Sequence, residues 1–289
     1  MRSCESVSSS TTITSLISLV TLPIDFHGKN VLVFGGTTGI NFGIATAFAK
    51  QGANITVVSR KEENVQKAIA ALAAYGQAEG VSADVRDFEA CGAAVAKAVD
   101  RFGPLDVVVS GAAGNFMCEA SELSSNGFRA VVDIDLVGTF HALRQSFQAL
   151  RRPGASVINI TAPQSWVPMR YQVHACAAKA GVDQLTRVLA LEWGREGVRV
   201  NAISPGPING TEGFDRLIAS TEEQRTRAIQ ATPLGRMGTV TDIADLALFL
   251  ASPHASYISG AVIPCDGGGA IDSVKPALEL AGAMQQEKR

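Results

Sequence analysis

From residue 29 onward, short runs of β-branched and apolar residues alternate with Ala-rich stretches of helical period, and that rhythm leaves few folds open. The runs are Val31–Phe34, Ile55–Val58, Asp106–Val109, Ser156–Ile160 and Val198–Ile203, with weaker ones at Val81–Asp84 and Ala261–Ile263. Between them, 40–51, 62–75, 87–101, 124–150 and 172–196 carry helical periodicity. Strands so uniformly apolar are buried on both faces. Strand, helix, strand in repetition predicts an α/β fold, a doubly wound parallel sheet with helices on both faces joined by right-handed crossovers. No composition break divides 25–270, which reads as one dinucleotide-sized domain. Residues 1–24, crowded with Ser and Thr, predict a flexible extension, and 271–289 a tail. The stretch 204–238 opens on Ser204-Pro205-Gly206-Pro207 and departs from the rhythm, as a substrate lid does.

Composition removes other classes. The chain has 289 residues, 46% of them hydrophobic and 18% charged, enough for a sizeable core. A net charge of −2 offers no basic field for nucleic acid. The five cysteines are scattered without a C-x-x-C pair, which opposes a disulfide framework or a zinc site and fits a reducing compartment. No run of about 18 apolar residues exists to span a membrane. Arg2 stands alone before Glu5, and serines interrupt the apolar residues of the N-terminal stretch, unlike a secretory signal. Glu287-Lys288-Arg289 is not the S-K-L type of peroxisomal address. The expectation is a cytoplasmic protein without metal.

Strand Val31–Phe34 runs into Gly35-Gly36-Thr37-Thr38-Gly39-Ile40, which opens a helix. Glycines let backbone approach a phosphate, and a helix start presents free N–H groups and the positive end of a dipole. Placed after the first strand, this turn predicts a Rossmann-like nucleotide site. The second strand ends at Ser59-Arg60-Lys61, where an unphosphorylated adenosine ribose calls for a carboxylate. Arg60 instead suits a 2′-phosphate, because guanidinium forks pair with phosphate. The expected cofactor is NADPH.

Several ordered motifs over about 28–270 resemble the short-chain dehydrogenase/reductase family. Gly35-x3-Gly39-Ile40 resembles its Gly-rich turn, Asp84-Val85 its adenine contact, and Ala112-Ala113-Gly114 its fourth-strand motif, with Ser110 where Asn is common. Pro205-Gly206-Pro207-Ile208 with Thr211 resembles the segment beside the nicotinamide, and Asp266-Gly267-Gly268 the C-terminal signature. The resemblance implies cofactor contacts at Gly35, Thr37, Thr38, Gly39, Ile40, Arg60, Asp84, Val85, Ala112, Lys179, Pro205, Gly206 and Ile208. It also implies a homo-oligomer, a tetramer or dimer, paired through helices 124–150 and 172–196.

The departures narrow the reading. The family's third turn glycine falls on Asn41, its acid/base tyrosine on Ala175, its serine on Ala162 and its helix asparagine on Asp135, while Lys179 is kept. Together with Ala112–Phe116, Asp133–Asp135, Gln172–Ala175, Glu192–Gly194 and Gly206–Gly213, this pattern resembles the peroxisomal-type 2,4-dienoyl-CoA reductases, which reduce a dienoyl thioester with NADPH. The implied substrate is an acyl-CoA. A ketone reductase must protonate an alkoxide, which a Tyr does. Hydride addition to a conjugated thioester spreads charge into a weaker base, so stabilising its oxygen matters more than immediate protonation. Asn115 is then the candidate donor to the thioester oxygen, Lys179 the ribose ligand, and Asp135 with Lys179 the holders of a relay water. Tyr171 and His174 are out of register with the lysine on a helix. Two other readings stay open: a 3-oxoacyl-type carbonyl reductase, and a nucleotide-binding protein without catalysis.

Overall fold

The computed structural model describes residues 24–211 and 221–271. The extension expected over 1–24 (but for Ile24), part of the lid at 212–220 and the tail from 272 onward lie outside them, as do Glu212 and Gly213 of the motif that starts at Gly206.

Strands β1 (Asn30–Phe34), β2 (Asn54–Ser59), β3 (Ala78–Ser82), β4 (Val107–Ser110), β5 (Ser156–Ile160), β6 (Arg199–Pro205) and β7 (Val262–Cys265) form one sheet in the order β3-β2-β1-β4-β5-β6-β7. Every pair is parallel, with Val31 beside Val107 and Phe34 beside Ser110 where β1 meets β4. Here the strand order reverses direction, and a crevice opens beyond the carboxyl ends. Successive side chains of β1 go to opposite faces. Val31 and Val33 join one core with Ile55, Val57, Ile158 and Ile203. Leu32 and Phe34 join a second with Val58, Val108, Val157 and Val200. Both faces are therefore covered, as the apolar runs require.

The first core is covered by α1 (Gly39–Lys50) and the second by α3 (Phe88–Phe102); α2 (Glu62–Leu72) follows β2. The long stretch expected at 124–150 is α4 (Ser125–Val132), a π-helical turn at Asp133–Val137 and α5 (Gly138–Ser146). Helix α6 (Val173–Trp193) follows β5. The region expected as a lid of polar, weakly helical sequence holds α7 (Glu222–Gln230), opened by a capping box at Thr221 and Gln224. A further helix, α8 (Val240–Ala251), completes the first core through Ile243, Ala247 and Leu250. It lies so close to α1 that a Cβ on Gly43 would fall 1.7 Å from Val240 Cγ1. Edge strand β3 sits earlier than the apolar run at Val81–Asp84, because pairing with β2 places Ala78 beside Ile55. Among the described residues no helix is long and apolar enough to cross a membrane.

Candidate active site

The carboxyl ends of the central strands surround a cleft of ≈ 700 Å³. Its first wall is the β1–α1 turn. Gly35 holds φ +75°, and a Cβ there would stand 2.8 Å from Ala112, so this turn and the end of β4 meet backbone to backbone. Gly39 comes next at φ +56°. Thr38 is the N-cap of α1, yet its side chain caps nothing, and Thr37, Thr38, Gly39 and Ile40 at the start of the helix all line the cleft. A pyrophosphate fits such a cradle without displacing a side chain. Arg60 and Lys61 line the next stretch, at the end of β2.

Asn41 supplies what the missing third glycine does not. It is buried, and its Nδ2 donates to Gly111 O at 2.7 Å, tying α1 to the end of β4. Gly111 makes room for it, since a Cβ there would lie 2.2 Å from Asn41 Oδ1.

Two residues expected at the cofactor stand elsewhere. Asp84 turns away to a fork-like pair with Arg86, Oδ2 to Nη2 at 2.5 Å, while its neighbours Ala83 and Val85 line the cleft. The hydrogen bond from Arg86 holds the Asp84 carboxyl below the usual carboxylate range. Ile208 is buried in the first core, and its carbonyl accepts from Thr211 Oγ1 at 3.0 Å. Ala112, Pro205 and Gly206 do line the cleft.

At the floor, Lys179 Nζ meets Asp135 Oδ2 at 3.1 Å, with the two side chains 10% and 2% exposed. The π-helical turn carries one more residue per turn than an α-helix, and such turns recur at functional sites. Here both Ile134 and Asp135 of that turn line the cleft. Asp135 Oδ1 accepts from Gly114 N at 2.7 Å, and Lys179 Nζ also donates to Ile160 O at 3.2 Å. Both carboxylate oxygens are thus occupied, and an ammonium has three donors, of which these bonds use two. The third remains for a hydroxyl or a water.

Asn115 lies on the wall and donates Nδ2 to Gln172 Oε1 at 2.8 Å. Gln164 Nε2 reaches the same oxygen at 3.1 Å. Neither Gln172 nor Gln164 stood out for a role in the sequence; the adjacency of these three amides exists only in the fold. Ala162 and Ala175 line the cleft where the family resemblance places serine and tyrosine. His174 is fully buried, its ring edge-on to Phe116 at 4.5 Å between centroids, and burial pushes its pKa down. Tyr171 has left-handed backbone (φ 66°) and stands half-exposed outside the lining. Neither enters the cleft.

Comparison with known proteins agrees with this geometry. The model of the family described as Enoyl-(Acyl carrier protein) reductase matches residues 35–269. A protein of Rattus norvegicus named "Peroxisomal 2,4-dienoyl-CoA reductase" ((3E)-enoyl-CoA-producing) is 44% identical over 243 residues, 83% of each chain. Its namesake of Arabidopsis thaliana is 42% identical over 253 residues, 84% of each. A solved short-chain type dehydrogenase/reductase from Mycobacterium ulcerans superposes with a TM-score of 0.82 at 30% identity, covering 86% of this chain and 91% of that one. With the parallel sheet, the Gly-rich turn and the retained lysine in place, the chain belongs to the short-chain dehydrogenase/reductase family of oxidoreductases and takes a nicotinamide cofactor.

Proposed function

We propose that the chain reduces unsaturated acyl thioesters with NADPH, converting a 2,4-dienoyl-CoA to an enoyl-CoA. The observation that carries this reading is the buried Asp135–Lys179 pair, facing walls where alanines replace the serine and tyrosine of carbonyl reducers. When bound, the cofactor supplies hydride to the far end of the conjugated system. The residues of the chain do the rest. Lys179, held by Asp135 and Ile160 O, offers its remaining N–H to a ribose hydroxyl or a water. Asp135, anchored by the Gly114 N–H, orients that ammonium, and a water on the free N–H passes the lysine's proton to the dienolate carbon, the lysine regaining a proton from solvent. Asn115 acts on the thioester end of the cleft through the amide cluster. The preference for NADPH over NADH is supported by Arg60 at the end of β2, on the cleft wall.

A homo-oligomer, tetramer or dimer, belongs to the same reading and is supported by Phe140 on α5 and Val188 and Leu191 on α6, all exposed. Light scattering that returns a 30.2 kDa monomer at micromolar concentration overturns it. A cytoplasmic location is supported by the scattered cysteines; a fluorescent fusion concentrated in peroxisomes overturns that. Oxidation of NADPH with dienoyl, enoyl and 3-oxoacyl thioesters tests the activity itself. Turnover is expected with the dienoyl substrate. Consumption only with the 3-oxoacyl substrate makes the chain a carbonyl reductase, and consumption with none makes it a binding protein.

A further inference from the structure

Gln172 stands immediately before α6 and lines the cleft, yet its side chain is all but enclosed, at 3% exposure. Three residues on comes Ala175 and seven on comes Lys179, so all three share one face of the helix. The Gln172 carboxamide thus lies one turn before the position that a tyrosine would occupy. Its oxygen accepts from two amides, Asn115 Nδ2 at 2.8 Å and Gln164 Nε2 at 3.1 Å, which takes both lone pairs. Its nitrogen carries two N–H groups and makes no hydrogen bond among the described residues. Turning this amide alone by half a turn would set its NH2 group against two other donors and forfeit both bonds. In this arrangement the group stands as a donor on the cleft wall.

We infer that Gln172 is a catalytic hydrogen-bond donor, receiving the thioester oxygen of the substrate in the place vacated by the tyrosine, with Asn115 and Gln164 as positioning residues that fix its orientation. This rests on the thioester reading above. The chemistry suits a conjugated thioester better than a ketone. A carboxamide stabilises negative charge on oxygen but does not surrender a proton to it. The dienolate therefore keeps its charge delocalised until carbon is protonated from the water at Asp135 and Lys179. A tyrosine in this place would quench the charge at oxygen.

The test compares wild type with Gln172→Glu, which still accepts from Asn115 and Gln164 but cannot donate when ionised, and with Gln172→Met, which keeps the volume without either function. Three quantities are measured: dienoyl turnover, the dissociation constant of NADPH by fluorescence, and the 13C resonance of a carbonyl-labelled unsaturated acyl-CoA bound with oxidised cofactor. Both variants are expected to lose roughly 10²-fold in kcat, the usual effect of removing one such donor. NADPH affinity should stay within about two-fold, and the carbonyl resonance should move upfield as the bond to oxygen is lost. Wild-type turnover and an unmoved resonance in either folded variant overturn the inference. If wild type binds the thioester without reducing it, the functional reading fails while the resonance still decides for or against Gln172. If wild type binds no thioester, both are overturned.

Discussion

Replacing Asp135 by Asn alters little in volume and much in charge. Asp135 is 2% exposed and holds two donors, the Gly114 N–H at 2.7 Å and the Lys179 ammonium at 3.1 Å. An asparagine can keep the first with its oxygen, but its NH2 then faces the ammonium, donor against donor. Lys179 is left buried with Ile160 O as its remaining partner among the described residues. Breaking one side of a buried pair costs about 3–5 kcal/mol; the retained amide dipole argues for the lower end, about 3 kcal/mol. For a domain of this size that is a fall of about 6–12 °C in melting temperature. Single-turnover reduction of a dienoyl thioester should slow by roughly 10²–10⁴, the usual reach of general acid–base catalysis. NADPH affinity should stay nearly intact, whereas Lys179→Ala should weaken it. In a double-mutant cycle the two losses should not add, because either change dismantles the same unit. Calorimetry and rapid-mixing absorbance measure both quantities. An Asp135→Asn variant that melts and turns over as wild type does would refute the reasoning on both counts.

Three further expectations rest on named contacts. Arg60→Asp should narrow or invert the preference for NADPH over NADH, since a charge-assisted phosphate contact contributes about 1.5–3 kcal/mol; equal dissociation constants in the wild type would end the claim. Gly111→Ala should destabilise by about 1–3 kcal/mol, because its Cβ would fall 2.2 Å from Asn41 Oδ1. Adding Asn41→Gly should recover part of that loss, and a double variant that melts below both singles shows the two positions are not matched. Asp242, at the start of α8, accepts from Arg236 and from Thr239, and these bonds hold its carboxyl well below the usual range. A carboxylate depressed in the folded state stabilises above its unfolded pKa of about 3.9 and loses that contribution as pH falls through the folded value. Asp242→Asn should therefore cost about 1 kcal/mol near neutrality and markedly less near pH 2, read by denaturant titration at the two pH values.

The architecture was legible in the chain because its signals are local. Period-two and period-3.6 patterns, a glycine turn after the first strand and a lysine on a recognisable helix all depend on neighbours a few residues away. Local signals can also be masked by their surroundings. The Thr239-x-x-Asp242 capping box announces α8, but it lies directly after the polar stretch that reads as a lid. What the tertiary structure alone decided is where side chains point and what they hold. Asp84 and Ile208 fit the motifs by position, yet one turns to Arg86 and the other enters the core. Asn41 fits against Gly111 only because α1 is pressed to the end of β4. Gln172 becomes a donor only because Asn115 and Gln164, from two other segments, occupy its oxygen. An amide is donor and acceptor at once, and which half it offers is settled by partners that sequence spacing does not bring together.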